Sequence, residues 1–173
     1  MNKSIKDRLM ITKIGYTRII SSTLALILLS CNRPQKVPDL DFTYEKYEDG
    51  RIKELGMKKD SMKEGLWISF YPNGKINGIE FFDHDKWNGP IYYFHENGQL
   101  SIYRETKDGV FHGKGYNYYH HGVVAGNVNF IDDKQDGIFE NYDDEGKLMC
   151  ITEYKDGKYV RTIYGPEPFE VND

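Results

Sequence analysis

The sequence predicts an all-β protein, an antiparallel meander of five tandem 24-residue hairpin repeats laid out as a single-layer twisted sheet. Two glycine ladders carry most of this reading. Gly50, Gly74, Gly98, Gly122 and Gly146 stand 24 residues apart, and Gly65, Gly89, Gly113 and Gly137 form a second series nine residues ahead. A period of roughly 20–50 residues marks an array in which each unit buries its apolar face against its neighbours. The third observation is that turn signals recur twice in every unit, which leaves room for strands and none for a helix.

The 173 residues suffice for one domain, and with 39% apolar and 14% aromatic residues the rings must supply much of the burial. Residues 1–30 read as a secretory signal. Lys3, Lys6, Arg8, Lys13 and Arg18 precede an eleven-residue run, Ile19 to Leu29, whose only polar members are Ser21, Ser22 and Thr23. Such a helix is about 16 Å long, against a hydrocarbon core of about 30 Å, which argues for a cleaved leader and against a permanent span. Met10 is an alternative start. The run ends in Leu28-Leu29-Ser30-Cys31, which resembles the bacterial lipobox, and this resemblance implies lipid attachment at Cys31. Acyl chains contribute roughly 0.8 kcal/mol per buried methylene, so the expected location is the bacterial cell envelope, membrane-anchored and either periplasmic or surface-exposed.

Residues 31–40, with Pro34 and Pro38, lack periodicity and read as a lipid-anchored linker. The repeat domain spans 41–165, in units 41–64, 65–88, 89–112, 113–136 and 137–160 with a partial sixth from Arg161, and 166–173 is a tail. Within each unit the clearest stretch is Tyr71-Pro72-Asn73-Gly74-Lys75, where Pro and Asn-Gly suit a type I turn closed by a left-handed glycine bulge. The five glycines from Gly50 to Gly146 are therefore structural turn residues. That turn pairs Phe70 with Ile76, Phe94 with Leu100, Tyr118 with Val124 and Tyr142 with Leu148, an aromatic residue opposite an aliphatic one each time, as a buried face requires. The return strands lead to tight turns at His84-Asp85, Asp108-Gly109, Asp132-Asp133 and Asp156-Gly157. The second ladder glycines fit places where a strand bends or another backbone comes close. Unit one departs from the pattern, and its run from Lys58 to Glu64 reads as a wet cap.

The proposed register places Trp67, Tyr71, Tyr93 and Tyr119, with Phe139, on the face opposite those pairs, either as a second packing face or as a binding surface. These four are the candidate binding residues. Without residues 1–30, which hold five of the 23 basic and one of the 27 acidic residues, the chain carries a net charge near −8, which argues against a nucleic-acid partner and for a basic protein partner. Of the two cysteines, Cys31 is assigned to lipid. Cys150 then has no intramolecular partner and reads as a small buried filler. The histidines fall in different repeat positions, and His120-His121 reads as a solvated turn, so no catalytic cluster, metal site or cofactor is expected.

The unit G-x-[W/I/F]-x-x-[F/Y]-[Y/H]-x-N-G-[K/Q]-[L/I] resembles the MORN-repeat-variant proteins of bacteria. The motif residues are Gly65, Trp67, Phe70, Tyr71, Asn73, Gly74, Lys75 and Ile76, with matching sets from Gly89, Gly113 and Gly137. The resemblance covers about 41–164 and implies a MORN-like β-meander interaction module without catalytic residues, in a family often described as toxin–antitoxin system antitoxins. Gly115, His121, Asp143 and Glu145 depart from the motif. The aromatic, glycine-rich units are also similar to choline- and glucan-binding modules, which imply a cell-wall ligand held in aromatic cages. Two functions are therefore expected as alternatives: a lipid-anchored protein-interaction scaffold, with an antitoxin or immunity type as its finer form, and a glycan- or choline-binding module.

Overall fold

The computed structural model describes residues 39–166. The signal segment, Cys31, most of the linker and residues 167–173 lie outside the described residues. The strands are β1 (Leu40–Lys46), β2 (Ile52–Lys59), β3 (Met62–Phe70), β4 (Ile76–Asp83), β5 (Lys86–Trp87), β6 (Gly89–Phe94), β7 (Leu100–Lys107), β8 (Val110–Tyr118), β9 (Val124–Ile131), β10 (Lys134–Gln135), β11 (Gly137–Tyr142), β12 (Leu148–Lys155) and β13 (Lys158–Tyr164). They form one 13-stranded sheet. Its order follows the chain from β1 to β13, with the two-residue strands β5 and β10 attached beside β4 and β9. All pairings are antiparallel.

The longer hairpins close as the sequence predicts. Tyr71 N–H donates to the Lys75 carbonyl at 2.8 Å and Gly74 N–H to the Tyr71 carbonyl at 2.9 Å, a type I turn with a glycine bulge. The five turn glycines hold φ between 83° and 93°. Asn73 Oδ1 accepts from the Lys75 N–H at 3.0 Å, and Asn97 does the same for Gln99. The four aromatic–aliphatic pairs stand in register.

The tight turns are of type I′, with positive φ at both central residues, and most of those residues are not glycine: Asp60 and Ser61, His84 and Asp85, Asp132 and Asp133. Contacts to the preceding unit hold two of these in place. Asp85 N–H donates to the Lys63 carbonyl at 3.1 Å while Asp85 Oδ1 accepts from the Lys63 N–H at 2.6 Å. Asp133 repeats the pair on Phe111, at 3.0 and 2.7 Å. Gly109 and Gly157, with no side chain, donate only the backbone bond, to Trp87 and Gln135.

Burial is confined to one face. Trp67 is 2%, Ile91 1% and Val128 6% exposed, and Thr106 and Thr152 are buried beside them. Paired positions share a face, and a single register row links Gly56 to Trp67 to Glu80, another Ile91 to Arg104 to Gly115 to Val128, and a third Phe139 to Thr152. A single layer covers this face by laying large side chains over glycines of the next strand. A methyl at Gly78 would stand 2.7 Å from the Tyr93 ring, and one at Gly115 would stand 2.8 Å from Val128 Cγ1. Strand-interior glycines mark such close approaches.

Candidate functional site

The structure gives each candidate binding residue a structural contact. Trp67 is a correction: it belongs to the covered face, its indole N–H donates to the Met57 carbonyl at 3.0 Å, and the Lys63 ammonium lies 4.0 Å above its ring. Lys63 is thus part of the packing and not merely a wet cap residue, with Glu54 Oε2 3.0 Å from its Nζ. Tyr71 donates its hydroxyl to the Phe94 carbonyl at 2.6 Å and Tyr119 to the Tyr142 carbonyl at 2.9 Å. Tyr47 reaches the Phe70 carbonyl at 2.7 Å, and His95 Nε2 the Tyr118 carbonyl at 2.9 Å. Each of these side chains therefore pins its own turn to the backbone of the next unit. Tyr93 donates to Glu80 Oε1 at 2.7 Å, and burial, together with that carboxylate, raises its pKa well above the ordinary phenol value.

The aromatic–aliphatic pairs lie on the opposite face, and that face is the open one. Its central register row is unbroken across the sheet: Tyr44, Leu55, Ile68, Ile79, Tyr92, Tyr103, Tyr116, Asn127, Glu140, Ile151 and Tyr164. None of these is buried. Tyr92 and Tyr103 have ring centroids 5.3 Å apart, and Tyr103 and Tyr116 6.0 Å apart. Phe42, at 63% exposure, and Leu66, at 45%, flank the row.

Charge is distributed unevenly over this face. From β1 to β7 the flanking pairs Phe42–Met57, Leu66–Phe81, Phe70–Ile76 and Phe94–Leu100 are apolar, with Glu64 opposite Met57 and Glu105 opposite Pro90 at the margins. Lys114, Glu140 and Glu153 interrupt the later strands. Six strands at about 4.8 Å and five positions at about 3.4 Å give the β1–β7 half a footprint of roughly 500 Å². The sequence signal for this face was the set of glycines at Gly56, Gly78, Gly115 and Gly126, which mark the other face as covered.

Glu64, Asp83 and His84 bring one potential ligand atom each within 4.8 Å of one another. They also hold each other: the His84 ring bonds Asp83, and the His84 N–H donates to Glu64 Oε2 at 3.2 Å, which fixes the tight turn. His121 Nε2 bonds the Asp144 carbonyl at 2.7 Å. Cys150 is half-buried, not fully buried, and its sulfur accepts from Asn141 Nδ2 at 3.4 Å.

Fold and surface together define a tandem-hairpin array with one covered and one open face. The MORN repeat variant family model matches residues 63–84 and 135–156, two of the repeats. No curated protein matches the chain. Among solved structures, the glycosylation associate protein (Gap123) complex from Streptococcus agalactiae is similar at 18% identity over 63% of this chain and 20% of that one, with a TM-score of 0.37. The accessory secretory protein 1, 2 and 3 structure from Streptococcus pneumoniae is similar at 18% identity over 71% of this chain, with a TM-score of 0.20. This chain spans only 18% of the latter's length.

Proposed function

We propose that the protein is a non-enzymatic envelope lipoprotein whose repeat sheet is a protein-interaction scaffold, with the more apolar β1–β7 half of the open face as its docking surface. The observation that supports this most is the register row through Ile68, Ile79, Tyr92 and Tyr103, left only half-buried by a sheet that has already covered its other face. Large aromatic side chains of this kind dominate the energetics of protein interfaces. The net charge near −8 outside the leader favours a basic partner and a rate of association that falls as salt rises. Attachment would come through Cys31, and an antitoxin- or immunity-type role is the finer form of the reading.

A photo-crosslinking amino acid at Ile79 or Tyr103, introduced in cells that express the protein, should give one discrete crosslinked product, and at Asn129 it should give none. The identity of the trapped protein decides between a toxin and another partner. Absence of any product from both Ile79 and Tyr103, or equal trapping at Asn129 in the more charged half of the same face, would defeat the scaffold reading. Metabolic labelling with an alkyne fatty acid should tag the wild-type protein and leave Cys31→Ala untagged; a tag that survives the substitution removes the anchor.

A further inference from the structure

On the covered face, the strand ends beside the tight turns carry a series of rings. Trp67 meets Phe82 edge-on at 6.2 Å, Trp87 lies nearly parallel to Phe111 at 6.0 Å, and Phe111 meets Phe130 at 5.4 Å. Phe82 and Trp87 stand directly opposite each other across the His84-Asp85 turn, a placement that normally brings side chains together. Among the described residues no ring contact joins these two. Both line a cleft of about 450 Å³ instead, and Lys63, Glu80, Asp85, Lys86 and Gly109 complete its lining.

The polar groups of this cleft are already positioned. Glu80 Oε1 accepts from both Trp87 Nε1, at 3.0 Å, and Tyr93 Oη, at 2.7 Å, which fixes the indole and, among the described residues, leaves Oε2 without a donor. Asp85 is held through one carboxylate oxygen by the Lys63 N–H at 2.6 Å. The lining thus combines two apolar rings, two carboxylates that accept and two ammonium groups that donate, with no net charge.

This chemistry selects a ligand class. A cation is disfavoured because the Lys63 ammonium itself lies 5.1 Å from the Phe82 ring and 4.0 Å from the Trp67 ring, filling the cation–π position with like charge. A wholly apolar ring would strip water from four charged groups without replacing their hydrogen bonds. A neutral polyhydroxylated ring satisfies both demands, with a C–H face on the Trp87 indole, its edge toward Phe82 and its hydroxyls on the charged rim. We propose that the Phe82–Trp87 cleft is a glycan-binding subsite that takes a pyranose ring against Trp87. The repeat shows that it occurs once: Gly56, Arg104, Val128 and Thr152 stand at the positions equivalent to Glu80, and Lys63, Phe111, Gln135 and Tyr159 at those equivalent to Trp87.

The chain has two tryptophans, of which Trp67 is buried and Trp87 lines the cleft, so a change in emission when ligand is added reports chiefly on Trp87. The protein, in a detergent without a sugar headgroup, is titrated with chitotetraose, maltotetraose and choline chloride. One of the two tetrasaccharides should change the emission saturably at one site per chain. Phe82→Leu and Glu80→Gln should each weaken that binding about two- to tenfold. Tyr103→Ser, on the open face, should leave it unchanged, which separates this site from the scaffold surface. Near-ultraviolet circular dichroism of Trp67 confirms that each variant is folded, and Glu80→Gln, which keeps the side-chain shape, stands if Phe82→Leu does not fold. Silence toward both tetrasaccharides, a response to choline alone, or sugar affinity untouched by Glu80→Gln would overturn the proposal.

Discussion

Replacing Gly56 by alanine sets two effects against each other, and the structure decides which wins. Gly56 has an ordinary strand backbone and is not among the positive-φ residues, so restricting the unfolded chain there should stabilise the protein by about 0.4–1 kcal/mol. The added methyl, however, would stand 2.5 Å from Trp67 Cε2 and 2.6 Å from Cγ, where carbon atoms prefer roughly 3.5–4.0 Å. The indole would have to lift by about 1 Å, against its 3.0 Å bond to the Met57 carbonyl and the Lys63 ammonium packed on its far side. Overpacking costs about 1–3 kcal/mol, and so close a contact belongs to the upper part of that range, about 2–3 kcal/mol, which leaves a net loss of roughly 1–2.5 kcal/mol. Urea unfolding followed by far-ultraviolet circular dichroism measures it. In a Trp67→Leu background the clash is gone, so the same alanine should be neutral or stabilising, with a coupling on the order of 1–3 kcal/mol. A Gly56→Ala protein as stable as wild type, or an equal loss from the same alanine in the Trp67→Leu background, would refute the account of a ring lying across a glycine.

Gly98→Val meets nothing within 4 Å, yet φ is +93°, so it should cost about 1 kcal/mol or more, read as a lower urea midpoint; an unchanged midpoint means the turn adopts another form. Tyr71→Phe and Tyr119→Phe each remove a bond to the next unit and should lose about 0.5–1.5 kcal/mol apiece, adding in the double variant because the two sites share no partner. Burial first, and the Glu80 hydrogen bond second, raise the Tyr93 pKa; Tyr103 and Tyr118 shift the same way, with burial again the leading cause. A raised folded pKa means that stability is full below about pH 10, the unfolded phenol value, and is lost as pH climbs toward the folded value. Tyr93→Phe should flatten the alkaline branch of a denaturation series above that point, and an unaltered branch would exclude Tyr93 as a contributor.

The repeat, both turn families and the aromatic–aliphatic register were legible because each follows from local chemistry repeated at fixed spacing. Asn73-Gly74 names its turn, and the turn names the pair Phe70–Ile76. Which face is covered was not legible from hydrophobicity, since Trp67 and Phe139 on one face and Tyr92 and Phe70 on the other make both look apolar. The difference lies in what stands beside them: Trp67 has Gly56 as neighbour and can lie flat, whereas Tyr103 stands between Tyr92 and Tyr116 and cannot. Tyr71 and Tyr119 read as surface rings because their acceptors are backbone carbonyls one unit away, which side-chain patterning does not display. Lys63 read as part of a charged cap, and only its position above Trp67 shows it to be packing.

The hydroxyl bonds from Tyr47, Tyr71 and Tyr119, and the ring bond from His95, all end on main-chain carbonyls 23 residues further on. An acceptor of that kind does not depend on which residue supplies it. Excision of residues 89–112 would offer Tyr71 the carbonyl of Tyr118 in place of that of Phe94, and duplication of the same stretch would add one more bond of the same kind. Length is therefore the most easily altered property of this molecule. It changes by two strands, or about 10 Å, at each step, so that the distance between the two ends of the array can be reset by recombination without any new interaction being invented.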